Sequence, residues 1–535
     1  MIKETSTSKH HQKGQQQVTS SSGSSAASST SKPTTSTTTT TLTNGGYVVL
    51  GIVAVLSSLF FYPLLFKYFD FTGMQSNRVE VSSIQGGLKK ISHWSKNNGV
   101  CSHRIAVGYN TNLDLVVDAI ELMQMLGVIT SESPLSADSI DSIDDFENTF
   151  TYYFKTGSAA ERTINDKKLF DVILNAALSL KRKEFHTGGN AGIIANRLAK
   201  EGCNVYLSGV VGERLKQLLH ERINVIDYNR DTQDEIHLIM EYQRNESWGQ
   251  HVTPRANRFI VSRDESNANM ATLEVLHHHL KASSGTERTD LLILSGLHLL
   301  DVAHANRIDD MAKVLEETPH STSSMPIHLE LASMTSVPII KDIASKIIPN
   351  VDSVGLNEQE LGFLYINTGG SQHKLADFSS PSINTAVDAI IHLFNNVGGH
   401  RSDLMDIDID GGKKTLSRVH FHYLTYHIVA VKKDMWPKER SMMSVAASSL
   451  EASDQACGFK DVELRIPLKF EVDYRYTPGS KLKFNIDETF PVVTWQDEGI
   501  EFHLAPVLVC KAPSKTVGLG DSISTTGFIY QTLKS

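Results

Sequence analysis

Near its carboxyl end the chain reads Thr516-Val-Gly-Leu-Gly-Asp-Ser-Ile-Ser-Thr-Thr-Gly-Phe528, directly after the apolar run 506–510. The pattern predicts a strand, a glycine turn and a helix that continues to about Leu533. Gly518 and Gly520 allow close backbone approach, and the N–H groups at a helix start favour a phosphate. Asp521 follows them, where its carboxylate is placed to take a proton from an attacking hydroxyl. The alternative is an ordinary turn followed by Asp521 as a helix cap.

The chain before this motif has an α/β pattern. From about residue 100, short β-branched runs at 104–108, 204–208, 290–295, 326–331 and 506–510 alternate with amphipathic helical stretches. This alternation predicts a mostly parallel sheet with crossover helices, whose ligand site lies at the carboxyl ends of the strands. Residues 235–243 predict a further strand with Ile236, Leu238 and Met240 on one face. We expect an exposed loop at 130–145 and peripheral insertions at 364–415 and 438–458.

Two acidic motifs offer oxygen ligands. In Asn357-Glu-Gln-Glu, which predicts a helix start, Glu358 and Glu360 suit Mg²⁺ held through its waters. The same residues also match a capping box, in which Glu360 bonds back to the helix start. The stretch 327–331 alternates, so His328 and Glu330 share one face of a strand. That pair suits either a role at a metal or a simple strand-edge contact.

A second glycine turn lies in His186-Thr-Gly-Gly-Asn, which leads into a helix closed by Gly202. Gly188 and Gly189 would let a polar ligand reach backbone N–H groups at the helix start. Taken alone, a glycine-rich turn of this kind indicates a binding site without naming its ligand.

Composition bounds the classes of function. The chain has 535 residues, of which 40% are hydrophobic and 21% charged, which excludes a wholly disordered or multi-span membrane protein. The net charge is −9, and residues 1–46 carry four lysines and one glutamate, which leaves −12 for the rest. So acidic a body excludes a general nucleic-acid binder.

The amino-terminal region predicts a membrane attachment. Residues 1–46 are rich in Ser, Thr and Gln and predict a disordered tail. Residues 47–66 carry no charge over 20 residues, which is long enough to span a bilayer as an uncleaved signal anchor. The alternative is a buried helix. Residues 67–94 predict a linker, and the flanking charges leave the orientation open.

In this order the motifs resemble the ribokinase-like superfamily, specifically its ADP-dependent sugar kinases, and most closely the eukaryotic glucokinases of the endoplasmic reticulum. Val107-Gly-Tyr-Asn-Thr-Asn-Leu-Asp is similar to the family's first sugar-binding loop, and Gly518-Leu-Gly-Asp to its catalytic GxGD motif. The glycine turn, the HxE motif and the NxxE motif follow the family order too. The resemblance covers 95–535 and implies an α/β, Rossmann-type large domain with a smaller α/β lid, roughly 115–185 and 230–262.

The resemblance also implies a reaction, in which the β-phosphoryl of Mg·ADP passes to the 6-hydroxyl of glucose in glycolysis. It implies a monomer with one Mg²⁺, or two, in the endoplasmic reticulum membrane, with a lumenal body expected and a secreted form as the alternative. The implied roles are catalysis by Asp521, Gly518 and Gly520; sugar binding by Asn112, Asp114, Glu161, Gly188, Gly189 and His237; nucleotide binding by Arg258 and Leu519; and metal binding by Glu330, Glu358, Glu360 and Asp521.

Three other functions stay open: a kinase of fructose 6-phosphate, an ATP-dependent ribokinase-type kinase, and a catalytically dead, membrane-anchored nucleotide-binding protein. The cysteines leave alternatives as well. Cys101, Cys203, Cys457 and Cys510 are too few and scattered for a disulfide scaffold or a zinc site. In an oxidising lumen a Cys457–Cys510 bridge would tether a peripheral segment beside the nucleotide site, and otherwise all four cysteines stay unpaired.

Overall fold

The computed structural model describes residues 78–93, 101–137, 139–283, 288–300, 304–317, 325–334, 336–398, 416–475, 477, 479–513 and 518–532. The predicted tail 1–46 and the predicted membrane segment 47–66 lie outside these residues. Among the helices described, none has the length and apolar character needed to cross a membrane.

The strands of the described residues are, in chain order, β1 Arg104–Gly108, β2 Asn112–Asp118, β3 Ala160–Thr163, β4 Lys183–Gly188, β5 Asn204–Ser208, β6 Ile223–Val225, β7 Ile236–Tyr242, β8 Ser247–Trp248, β9 His251–Val252, β10 Asn257–Ser262, β11 Leu291–Leu294, β12 Ile327–Glu330, β13 Ser353–Leu356, β14 Arg418–Tyr423, β15 Tyr426–Lys432, β16 Val462–Leu464, β17 Lys469–Tyr474, β18 Ser480–Asn485, β19 Val493–Asp497, β20 Ile500–Pro506 and β21 Leu508–Cys510.

The α-helices of the same residues are α1 Arg78–Ser92, α2 Ala119–Leu126, α3 Ile143–Thr156, α4 Lys167–Ser179, α5 Asn190–Lys200, α6 Glu213–Leu218, α7 Leu273–Ala282, α8 Asn306–Glu317, α9 Val337–Asp342, α10 Glu358–Asn367, α11 Ile383–Asn396, α12 Lys438–Cys457 and α13 Leu519–Thr532. Short 3₁₀ or π turns lie at Leu297–Leu299, Ile343–Ile347, Ile348–Asn350 and Leu375–Ser379.

The larger sheet has the order β19-β20-β15-β14-β13-β12-β11-β1-β5-β6. Its strands run parallel from β6 to β14, which confirms the predicted parallel sheet, and antiparallel from β14 to β19. The expectation that 506–510 is one of its parallel strands is wrong. Pro506 ends the antiparallel strand β20, and the N–H of Val507 donates to the carbonyl of Thr425. Among the described strands, β21 then pairs with β16 and lies outside the larger sheet.

The smaller sheet has the order β3-β10-β7-β2-β4. Helices α2, α3 and α4 cover it around an aromatic core that includes Phe146, Phe150, Phe154 and Phe259. β7 confirms the strand predicted over 235–243, although Ile239 on its other face is buried as well. Residues 109–111 alone separate β1 of the larger sheet from β2 of the smaller one. The ends of both sheets therefore meet at this short connection.

Two regions differ from the sequence predictions. Helix α12, expected as a peripheral insertion, has 12 of its 20 residues buried, and much of α11 is buried as well. In α12 the hydroxyls of Ser448, Ser449 and Ser453 bond to backbone carbonyls one turn earlier, so serine costs little there. The predicted linker 67–94 contains α1, whose Ile84 and Leu88 are buried in a cluster with residues of α12 and β15.

All four cysteines are paired. Cys457–Cys510 joins the end of α12 to β21 with its Cα atoms 6.1 Å apart, which confirms the bridge considered from the sequence. Cys101–Cys203, with Cα atoms 4.8 Å apart, joins the residues just before β1 and β5, and the sequence analysis missed it. The alternative of four unpaired cysteines is wrong, because β1 and β5 are neighbouring strands and bring those two residues together.

Candidate active site

Asp521 lies in the first turn of α13 and is 7% exposed. Its Oδ1 accepts a 2.8 Å hydrogen bond from Nδ2 of Asn190, the first residue of α5. Burial, together with the charge of Glu330, raises the pKa of Asp521 to about 7. A carboxyl group poised near neutral pH and held by one oxygen suits a general base.

Gly518 makes the turn into this helix. Its φ is +63°, in the left-handed region, and a Cβ there would lie 2.7 Å from Cδ1 of Ile193 on α5. The N–H groups of Leu519, Gly520 and Asp521 belong to the first turn of α13 and so lack partners within that helix. The geometry therefore supports the anion site predicted at this helix start.

Glu330 ends β12 and lies fully buried between two histidines. Its Oε2 is 3.3 Å from Nε2 of His328, and its Oε1 is 3.4 Å from Nε2 of His422 on β14. Burial alone would raise the pKa of Glu330, but these two hydrogen bonds outweigh it and lower the pKa below its usual value. Burial lowers the pKa of His328, which is therefore neutral beside an ionised glutamate.

Asn357 caps α10 with a complete capping box. Its Oδ1 accepts from the N–H groups of Gln359 and Glu360, and its own N–H and Nδ2 donate to Glu360 at 2.8 and 2.9 Å. Burial raises the pKa of Glu360 to about 8, and burial also raises that of Glu358. The two glutamates thus differ, because Glu360 serves the cap while Glu358 lines the neighbouring cavity.

A cavity of about 680 Å³ adjoins the start of α13. Leu519, Gly520 and Ile523 form part of its wall, the chain around Cys510 another part, and Glu358 and His422 contribute polar groups. Its lining is mostly apolar, and its size is within the range of small-molecule sites. The cavity therefore suits a planar apolar group such as a nucleobase, with Asp521 just beyond it.

The residues predicted to bind the sugar come together where β2 meets β4. Nδ2 of Asn112 donates to Oδ1 of Asp114 at 2.6 Å, and both side chains are buried. A Cβ on Gly188 would lie 2.1 Å from that Oδ1, so only glycine fits at this position. Burial raises the pKa of Asp114 to about 6. Gly189 follows with a φ of +73° and is the N-cap residue of α5.

Glu161 on β3 and His237 on β7 lie near Asp114. We call this group of residues the sugar end of the cleft and the group around Asp521 its phosphoryl end. Nδ1 of His237 is 3.8 Å from Oε1 of Glu161, whose side chain is 54% exposed. Nε2 of His237 is 2.6 Å from Oδ2 of Asp264, just after β10. Arg258 on β10 lies close enough to Glu161 to influence its charge, but it does not line the cavity beside Leu519. Its predicted nucleotide contact stays a prediction.

Asn190 links the two groups of predicted site residues. It donates to Asp521, and its Oδ1 accepts from Nδ2 of Asn110 in the loop that leads to Asn112. The sequence analysis missed Asn190, His422 and Asp264 as functional candidates. Asn190 had a signal, its place directly after the glycine turn, and His422 follows the period of two in β14. Asp264 had none, because its partner is 27 residues away.

Comparisons with known proteins agree with this arrangement. A family model described as the ADP-specific phosphofructokinase/glucokinase conserved region matches residues 103–530. The ADP-dependent glucokinase of Bos taurus is 36% identical over 438 residues, which are 80% of this chain and 84% of that protein. A Caenorhabditis elegans protein described as a probable ADP-dependent glucokinase is 31% identical over 444 residues, which are 81% of this chain and 86% of that protein.

Among solved structures, a hypothetical ADP-dependent phosphofructokinase from Pyrococcus horikoshii has the same fold, with a TM-score of 0.60 at 19% identity over 80% of this chain and 97% of that one. At that identity the likeness shows the fold alone. The family match, by contrast, spans both sheets and every motif of the site. The chain therefore belongs to the family of ADP-specific phosphofructokinases and glucokinases.

Proposed function

We propose that this protein is an ADP-dependent glucokinase, which transfers the β-phosphoryl group of ADP to the 6-hydroxyl of glucose and releases AMP and glucose 6-phosphate. The observation that carries the proposal is the position of Asp521. It lies between the nucleotide-sized cavity and the residues around Asp114, at a helix start and held by Asn190. The relative from Bos taurus bears the name of this activity.

The chain's own groups account for most of the reaction. Phosphoryl transfer needs little covalent chemistry from the protein and depends on positioning and charge stabilisation. Oδ2 of Asp521, left free by Asn190, takes the proton of the sugar hydroxyl, for which a pKa of about 7 is well matched. The N–H groups of Gly520 and Asp521 stabilise the negative oxygens of the phosphoryl group.

The acidic side chains near Asp521 fit a divalent cation. Burial raises the pKa of Asp521, Glu358 and Glu360, and neighbouring carboxylates raise it further at Asp521 and Glu360, so a bound cation would stabilise the ionised forms. Among the described residues no three metal-binding side chains converge on one point. A hydrated Mg²⁺ bound through its waters by Glu330, Glu358, Glu360 and Asp521 suits this arrangement. When bound, the ion supplies positive charge to the phosphate oxygens.

The sugar end of the cleft favours an uncharged substrate. Asn112, Asp114 and His237 supply hydrogen-bonding groups to hydroxyls, and Glu161 adds an exposed carboxylate. A sugar phosphate would bring a negative charge next to these acids, with only His237 and Arg258 close enough to Glu161 to oppose it. Glucose therefore fits the site better than fructose 6-phosphate.

The proposal is tested by AMP release from ADP, measured with and without glucose on the purified protein. We expect release that depends on glucose, with glucose 6-phosphate formed in equal amount. The Asp521→Asn variant serves as the control for a contaminating kinase. Glucose-independent release, or transfer only from ATP, would contradict the proposal.

We also propose that residues 47–66 anchor a monomer in the endoplasmic reticulum membrane, with its body in the lumen. Twenty residues without a charge support the anchor, and two disulfides in the body suit an oxidising compartment. Alkaline carbonate extraction and protease treatment of intact microsomes provide the test. Digestion of the chain beyond residue 66 without detergent would place that part of the protein in the cytosol.

A further inference from the structure

Asp264 makes a short contact with His237 at the sugar end of the cleft. Its Oδ2 is 2.6 Å from Nε2 of His237, and its side chain is 8% exposed. Its other oxygen, Oδ1, accepts a 3.0 Å hydrogen bond from Nδ2 of Asn267. Both oxygens thus take part in hydrogen bonds, and because the pKa of Asp264 lies below its usual value, the carboxylate is ionised and Nε2 of His237 carries the hydrogen.

The other ring nitrogen of His237 has a different environment. Nδ1 is 3.8 Å from Oε1 of Glu161, which is beyond hydrogen-bond distance and leaves its N–H for a ligand oxygen. Burial lowers the pKa of His237, but the hydrogen bond and charge of Asp264, with the charges of Glu161 and Asp114, raise it to about 9. His237 is therefore a cation at neutral pH, and both of its ring nitrogens donate.

The groups that face this pair from other elements do not remove its charge. His298, in the 3₁₀ turn after β11, also interacts with this pair, and burial lowers its pKa to about 4, so it stays neutral. Glu235, just before β7, accepts from the N–H groups of Glu265, Ser266 and Asn267. Burial raises the pKa of Glu235, whereas hydrogen bonds from His237 and Asn267 keep that of Asp264 below its usual value.

The loop that carries Asp264 is fixed at several points. Asn267 donates to the carbonyl of Thr111 and accepts from its N–H, so the loop after β10 is bonded to the connection between the two sheets. Glu235 holds the same loop through three backbone N–H groups. Asp264 is thus set against the sugar-binding strands by contacts other than the one it makes with His237.

We propose that Asp264 is a positioning residue for the sugar, which holds His237 as a cation whose Nδ1–H points to a substrate hydroxyl. The inference rests on the proposed function and deepens it, because it assigns the substrate a charged donor rather than a neutral one. A charge-assisted hydrogen bond is about twice as strong as a neutral one, so this donor selects for a hydroxyl at that position.

The test is Asp264→Asn, which keeps the shape of the side chain and removes its charge. We expect the KM for glucose to rise about tenfold at pH 8 and about threefold at pH 6, because His237 then loses its proton between these pH values. Each KM is compared with that of the wild type at the same pH, because Asp114, with a pKa of about 6, titrates in both proteins. The kcat should fall less than twofold. Calorimetric titration with glucose should give the same changes in Kd.

The matched control is Asp473→Asn, which removes an exposed carboxylate on β17 and should leave KM unchanged. In a His237→Gln background, Asp264→Asn should add nothing further, because it acts only through His237. The pKa of His237 itself is measured by NMR without any sugar, with His237→Gln assigning its signal.

Any one of four results would overturn the inference alone. They are a rise in KM that is equal at both pH values, an unchanged KM, an additive effect in the His237→Gln background, and a His237 pKa that stays near 9 in Asp264→Asn. A wild-type protein that binds no glucose would overturn the proposed function together with it. The two failures are therefore distinguishable.

Discussion

The two ends of the cleft both pair a histidine with a carboxylate, yet the carboxylates around each pair differ. At the sugar end, Asp264 keeps His237 protonated, and the partly exposed Glu161 adds negative charge beside this pair. At the phosphoryl end, His328 is neutral, the hydrogen bond to Glu330 outweighs burial and raises the pKa of His422, and burial raises the pKa values of Asp521 and Glu360. There His422 faces four carboxylates, so a bound cation would stabilise the ionised forms of Glu330, Glu358, Glu360 and Asp521. One end suits a neutral sugar, and the other suits a metal and a phosphate.

The largest effect should come from breaking the phosphoryl end at Asp521. Asp521→Asn should lower kcat by roughly 10²–10⁴, because the reaction loses its positioned base. ADP binding, measured by calorimetry, should survive, since the apolar cavity remains. Turnover near the wild-type rate would show that the raised pKa of Asp521 has no part in the chemistry.

The charge of His237 should appear in the pH dependence of stability. Its pKa is about 9 in the fold against an ordinary 6.5, so its contribution is complete below pH 6.5 and is lost as the pH rises through 9. From pH 7 to pH 9.5, the unfolding free energy of the wild type should fall by roughly 2–3 kcal/mol more than that of His237→Gln. Thermal melts measure this.

His186→Gln, which changes an exposed histidine on β4, is the control and should follow the wild type. Parallel changes of stability with pH for the wild type and His237→Gln would mean that the fold does not raise the pKa of His237.

Substrate choice tests the negative field at the sugar end. The kcat/KM for glucose should exceed that for fructose 6-phosphate by about tenfold or more, and Glu161→Gln should narrow this ratio. The same variant should raise the KM for glucose by several fold, because it replaces a charged hydrogen-bond acceptor with a neutral amide. Coupled assays with both sugars decide the matter, and a preference for fructose 6-phosphate would contradict the assignment.

The smallest effect should separate Glu358 from Glu360. Glu358→Gln should raise the Mg²⁺ concentration for half-activity by about threefold, because water-mediated binding loses one charge. Glu360→Gln should keep the hydrogen bond from the backbone N–H of Asn357, since glutamine also fits a capping box, but should lose the bond from Nδ2 of Asn357, and should cost about 1 kcal/mol of stability. Mg²⁺ titrations and melts of both variants test this. Stability losses with unchanged Mg²⁺ dependence would assign both residues to the cap alone.

Much of the fold follows from local patterns in the sequence. The runs at 104–108, 204–208 and 326–331 are strands because β-branched and apolar residues fill them, and the glycine turn before Asp521 leads into a helix as expected. The buried helix α12 was missed because its serines satisfy their hydroxyls on the helix's own backbone. A pattern of polar and apolar residues does not predict the burial of serines that bond to their own helix backbone.

The candidate site divides in the same way. Residues with a motif of their own, such as Glu330 and Asp521, were identified from the chain, whereas Asp264 and the Cys101–Cys203 pair depend on contacts between distant segments. The sequence marks Glu360 as the capping-box residue and the hydrogen bonds of Asn357 confirm it, whereas only the cavity beside Glu358 gives that residue a different place. Such differences arise from tertiary packing and are absent from any single stretch.

The Cys101–Cys203 bond closes much of the smaller sheet into a covalent ring. It spans 102 residues, and β2, β3 and β4 lie inside that span together with α2, α3 and α4. Between α2 and α3 the chain exposes Ile129 and Leu135, which offers proteases an accessible loop. A single cut in this loop would leave two fragments fastened together by sulfur. On a gel the nicked enzyme would therefore run as one band without reductant and as two bands with it.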